Sequence, residues 1–99
     1  LGIVLGKIDK LEKVWKLSGD ITMSSAHTLL ADTKKFPKQF KMDFSGVTHV
    51  DTATISLIFE WLRQAQNQGS QLTFTKLPEN LHSLINLYGV VDLIPHTSR

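Results

Sequence analysis

The sequence contains no cysteine, so disulfides and thiolate metal sites are excluded from the outset. It also lacks any apolar run approaching the roughly 20 residues that a membrane-spanning helix requires. No G-x-S-x-G elbow, P-loop or dinucleotide fingerprint occurs, which leaves hydrolysis, conventional nucleotide binding and hydride transfer without sequence support. The four histidines, His27, His49, His82 and His96, are widely separated, and none forms a ligand pair at helical or strand spacing. No metal or other cofactor is therefore expected. His49 and Asp51 alternate as a base and its orienter would beside Thr52, but no oxyanion or substrate pocket accompanies them, and catalysis is not expected. No basic region precedes "LGIVL" and no cleavage pattern follows it, so the chain reads as a trimmed or cytosolic product.

What is present fits one compact domain spanning residues 1–99, with 41% hydrophobic and 20% charged residues. The net charge of +2 hides an asymmetry: residues 1–42 carry eight lysines against four acids, and residues 43–99 carry three basic residues against five acids. A basic first half could attract nucleic acid or anionic lipid. Without interleaved arginine or aromatic residues, however, these lysines read as solvated surface, and no nucleic-acid partner is expected.

Hydrophobic periodicity lays out the elements. Ile3 and Leu5, then Trp15 and Leu17, alternate in two short stretches joined by "KIDKLEK", the pattern of an antiparallel hairpin. "SGDITMSS" interrupts the second strand at Gly19 and Asp20, and Ser24 or Ser25 is placed to cap a helix with Ala26, Leu29, Leu30 and Thr33 on one stripe, ended by Pro37. Phe40, Met42 and Phe44 alternate with Lys41 and Asp43 as a half-buried strand, and Ser45 and Gly46 predict a turn. From Ala53 to Gln68 the period becomes helical, with Ile55, Ile58, Phe59 and Leu62 on one stripe and Gly69 as the stop. "QLTFTKL" returns to alternation. Pro78 then precedes a helix carrying Leu81, Leu84, Ile85 and Tyr88, which Gly89 ends, while Val90, Val91, Leu93 and Ile94 close the sandwich. Strands alternating with helices predict an α/β fold: a mixed, mostly parallel sheet with helices packed on it and an N-terminal antiparallel hairpin.

The chemistry concentrates in "HVDTATISL", His49 to Leu57. A helix beginning near Ala53 leaves N–H groups without internal partners, and an oxygen of Asp51 or Thr52 can accept from them. One cap suffices, which leaves the other side chain free for a partner. Thr54, Leu57 and Trp61 lie off the apolar stripe and are expected to form a docking ridge running down the helix from Asp51 and Thr52, with Trp61 as its anchor.

The run "DFSGVTHVDTATISLI", followed by "QGSQLTFTKLPENL" and "LINLYGVVDLI", resembles the STAS domain family, which sulfate transporters and anti-sigma factor antagonists share. The resemblance covers nearly the whole chain and implies a STAS-like (SpoIIAA-like) fold. Because family members can use the surface around both helices, it also implies His82 and Tyr88 as candidates for the rim of a partner contact. The family's phosphorylatable hydroxyl matches Thr52, directly after Asp51, whereas Thr54 stands where the family usually has glycine, a departure that bears on kinase recognition. The threonine, the "LYGVVDLIP" ending and the short length are most similar to stand-alone STAS subunits of Mla phospholipid-transport systems. Such subunits bind the cytoplasmic ATPase of an ABC transporter that maintains outer-membrane lipid asymmetry. The resemblance thus implies a non-catalytic, cytoplasmic protein that meets the membrane only through its partner. The alternative it carries is an anti-sigma factor antagonist that binds a kinase and is switched by phosphorylation of Thr52.

Overall fold

The structure is a computed structural model that describes residues 6–11, 13–31 and 35–97. Its elements are β1 (Lys7–Lys10), β2 (Val14–Ile21), α1 (Met23–Ala31), β3 (Gln39–Val50), α2 (Thr52–Asn67), β4 (Gln71–Thr75), α3 (Glu79–Leu87), a 3₁₀ turn (Val91–Leu93) and β5 (His96–Thr97). The five strands form one sheet in the order β1-β2-β3-β4-β5, with β1 antiparallel to β2 and every other pair parallel. Each helix links two neighbouring parallel strands, and because such crossovers are right-handed as a rule, all three helices fall on the same face. In that layer α2 contacts both α1 and α3. The mixed, mostly parallel sheet with its N-terminal hairpin agrees with the reading of the sequence.

The core fills the space between sheet and helices. Trp15, Leu17 and Ile21 of β2, Phe40, Met42 and Phe44 of β3, and Leu72 and Phe74 of β4 meet Leu29, Ile58, Trp61, Leu81 and Ile85 from the helices. At one end Trp15 packs against Phe36 and Phe40 with ring centroids 5.6 and 4.7 Å away. Among the described residues the opposite sheet face has no helix, and it carries the exposed Lys7, Lys16 and Lys41.

Several local expectations are corrected. Ile3 and Leu5 lie outside the described residues, and the hairpin partner of β2 is "KIDK" itself, with Lys7 opposite Ser18 and Lys10 opposite Trp15. Gly19 does not end β2. It takes φ of +80°, open to glycine without steric penalty, at a register irregularity through which the strand continues to Ile21. Ser45 and Gly46 likewise do not turn the chain, because β3 runs unbroken to Val50. Glycine is needed at 46 for close approach: a Cβ there would lie 3.0 Å from both Leu17 O and Ser18 Cβ.

Asp43 is only 4% exposed although it alternates with the core residues. Its Oδ1 accepts from the Ser45 N–H at 2.7 Å, and Lys76 Nζ lies 3.8 Å from Oδ2. Ser25 sits inside α1 and reaches back, accepting from the Thr22 N–H at 3.1 Å and donating to the Asp20 carbonyl at 2.7 Å. Thr33 lies outside the described residues. Tyr88 and Leu93, expected in the core, are 53% and 63% exposed, and Ile94 alone of the closing segment is buried.

Candidate functional site

The C-terminal end of β3 delivers the chain directly into α2, and Asp51 is the hinge residue between them. Its backbone is extended, and its Oδ1 accepts from the Ala53 N–H at 2.9 Å while the Thr54 hydroxyl oxygen accepts from the Asp51 N–H at 3.0 Å, completing a capping box. The second carboxylate oxygen accepts from the Met23 N–H of α1 at 3.2 Å. One side chain thus serves the N-termini of two helices, where both helix dipoles favour a negative group. Thr54 is equally committed, since its hydroxyl also donates to the Ile21 carbonyl at the end of β2.

These bonds divide the expected docking residues into two sets. Thr52 is exposed and its hydroxyl makes no hydrogen bond among the described residues, and Asp51 is half-buried beside it. Thr54, Leu57 and Trp61 are only 1%, 4% and 0% exposed and do not form a surface ridge. The cause is the place of α2 between α1 and α3, which buries a wide arc of the helix centred on Ile58, Trp61 and Ala65. Trp61 is a core residue, and its indole is no anchor for a partner.

The exposed line of α2 instead begins with Thr52 and Ser56, one turn apart. A shallow groove lies on either side of it. One, of about 520 Å³, runs between α1 and α2 and is lined by Met23, Ala26, His27, Leu30, Ala53 and Glu60 together with Thr52 and Ser56. The other, of about 290 Å³, is bounded by Thr52, Ile55, Ser56, Tyr88 and Val90. Met23, at 75% exposure, stands at the mouth of the first groove. Tyr88 lines the second groove. His82 does not line either groove, and its ring faces His96. Ser56 and Met23 were not singled out in the sequence; the helical repeat from Thr52 points to Ser56, but only the tertiary fold brings Met23 alongside.

Two further carboxylates, on β2 and α2, are held by basic side chains. Asp20 Oδ1 accepts from the Thr48 hydroxyl at 2.9 Å and lies 2.9 Å from His49 Nδ1, and these bonds, that of His49 foremost, hold the Asp20 carboxyl below its ordinary range. His49 is therefore tied to Asp20 and not disposed as a base toward Thr52. Glu60 is bound by Arg63, which lowers its carboxyl in the same way. Among the described residues no group of three or more histidine, aspartate or glutamate side chains could hold a metal ion, and no helix is long and apolar enough to cross a membrane.

Together the one-sided helix layer, the doubly capped tip and the hydroxyl line between two grooves define a small α/β module that presents one helix end. The chain belongs to the family described as "Mlab, STAS domain", whose model matches residues 8–95. None of the curated proteins matches the sequence significantly. Among solved structures it is similar to the anti-sigma factor antagonist SpoIIAA in its unphosphorylated form, with a TM-score of 0.72 and 7% identity over 95% of this chain and 89% of that one. It is also similar to an anti-sigma factor antagonist from Mycobacterium paratuberculosis, with a TM-score of 0.62 and 14% identity over 95% of this chain and 85% of the other. At these identities the likeness is one of fold.

Proposed function

We propose that this protein is a non-catalytic STAS subunit that docks on the cytoplasmic ATPase of an ABC-type phospholipid transporter through Thr52 and the surface around it. The observation that carries this reading is the contrast at the tip of α2. Asp51 and Thr54 are engaged in holding the helix ends, whereas Thr52 is exposed, its hydroxyl makes no hydrogen bond among the described residues, and apolar grooves flank it. A hydroxyl in such a setting can be desolvated against a partner with no internal bond to break, and the apolar walls supply the buried area that association requires. Membership of the Mlab family favours a transporter ATPase as that partner. The protein then resides at the cytoplasmic face of the inner membrane through its partner.

A second reading has a specific basis. Thr52 is reachable by a kinase, and a phosphate there would add about 1.5 to 2 negative charges beside the Asp51 carboxylate. The protein would then act as an anti-sigma factor antagonist, released from its partner by modification.

Affinity isolation of the tagged protein from its native host separates the two. Stoichiometric recovery of an ABC ATPase, lost in Thr52→Glu, supports the first reading. Recovery of an anti-sigma kinase with no ATPase overturns it in favour of the second.

A further inference from the structure

His82 and His96 are far apart in the sequence but meet in the fold, because β5 returns along the sheet edge beside α3. Their ring centroids are 6.1 Å apart, with the planes at 69°, and both side chains are half-buried. His96 Nδ1 lies 2.7 Å from the Ile94 carbonyl oxygen. A carbonyl only accepts, so Nδ1 carries the hydrogen, and the lone pair of the neutral ring is on Nε2. An imidazole oriented by a backbone carbonyl in this way is the usual second-shell arrangement of a metal-ligating histidine. His82 makes no hydrogen bond through either ring nitrogen among the described residues. With metal–nitrogen bonds of about 2.0–2.1 Å, two imidazoles on one ion hold their centroids roughly 5–6 Å apart, close to the 6.1 Å separation of these two rings.

We propose that His82 and His96 form a two-histidine site for a divalent transition ion of the zinc type. Neutral imidazoles suit zinc, nickel and copper, whereas calcium and magnesium require oxygen ligands. No third histidine or carboxylate joins the pair among the described residues, so water fills the remaining positions. The ion would tie α3 to β5, which among the described residues pairs with β4 at Phe74–His96 and Thr75–Thr97. The site lies away from Thr52 and does not depend on what docks there.

The test is a ZnCl2 titration of the labelled protein, following the imidazole resonances of all four histidines, with MgCl2 as comparator and melting measured in parallel. The expected result is a saturable one-to-one shift of His82 and His96 ahead of His27 and His49, a raised melting temperature, and no response to magnesium. His82→Gln and His96→Gln should each weaken zinc binding about tenfold or more, since loss of even an outer-shell partner of a ligand typically costs about 10–100-fold in affinity, while keeping the far-ultraviolet spectrum of the parent. Absence of shifts at His82 and His96 up to about 1 mM zinc overturns the proposal. So does undiminished binding in both variants, which would mean an adventitious ion elsewhere, for example at the His49–Asp20 pair. If a variant fails to fold, the site-resolved shifts of the parent protein decide alone.

Discussion

Asp51 reaches Met23 across the gap between two helices: its Oδ2 accepts from the first amide of α1 at 3.2 Å while Oδ1 accepts from the Ala53 N–H of α2 at 2.9 Å. The residue just before the exposed threonine therefore fixes the relative position of the two helix ends that form the larger groove. Its first role is architectural, and any effect on partner binding passes through the shape of that groove.

Asp51→Ala should consequently lower unfolding stability by about 1–2 kcal/mol, since loss of a single cap costs roughly 0.5–2 kcal/mol and here two helix starts lose an acceptor. Asp51→Asn keeps one acceptor oxygen and should lose less. Urea denaturation of the two variants against the parent checks the order, and an unchanged midpoint in Asp51→Ala would refute the double cap.

Thr52 and Ser56 should behave in the opposite way. Both are exposed, and substitutions at such positions usually change stability by less than about 0.5 kcal/mol. Thr52→Ala should leave the melting curve unchanged and weaken the partner complex, and Ser56→Trp, which places bulk where the two grooves adjoin, should weaken it further. Titration calorimetry with the purified partner, alongside thermal melting, separates this from a folding defect.

Trp61 marks the limit of what the sequence discloses about α2. Its apolar residues span so wide an arc that periodicity alone favoured a stripe through Phe59 and Leu62, both only half-buried, and left Trp61 outside it. A helix between two others buries its flanks as well as its base, and which flank is covered depends on neighbours remote in sequence. Trp61→Ala should cost about 3–5 kcal/mol, as removal of a fully buried aromatic side chain does, and much of the population should unfold near physiological temperature. Trp61→Phe should be milder. A melting temperature unaffected by Trp61→Ala would restore the surface reading.

The same division runs through the rest of the molecule. Elements governed by local pattern were legible: the alternation of "QLTFT", the helical repeats of α2 and α3 with Gly69 and Gly89 behind them, and the cap at Asp51. "KIDK" read as a connector because an edge strand needs only one core-facing apolar residue, here Ile8, and charged residues protect such edges from further pairing. The Ser45–Gly46 pair carries a turn signal, but its glycine answers to the close passage of β2, a register that local sequence does not encode. The pairings of Asp20 with His49 and of His82 with His96, and the grouping of Met23 and Tyr88 around Thr52, depend likewise on strand order.

Asp43 supplies a prediction in pH. Burial alone would push its carboxyl up, but the Ser45 hydrogen bonds and the charges of Lys76 and Lys16 outweigh it and hold the group below the ordinary value of 3.8. A carboxyl depressed in the folded state binds its proton more readily when unfolded, so its contribution is complete above the unfolded value and fades as pH falls through the folded one. Asp43→Asn should therefore destabilise the protein at about pH 7 and flatten the acid limb of the stability profile below about pH 4, where the two proteins converge. Lys76→Gln should reproduce part of this change, because it removes one charge and leaves the Ser45 N–H in place. Denaturation midpoints recorded from pH 7 to pH 3 for the three proteins provide the check, and parallel curves for parent and Asp43→Asn would show that the buried carboxylate does not govern acid sensitivity.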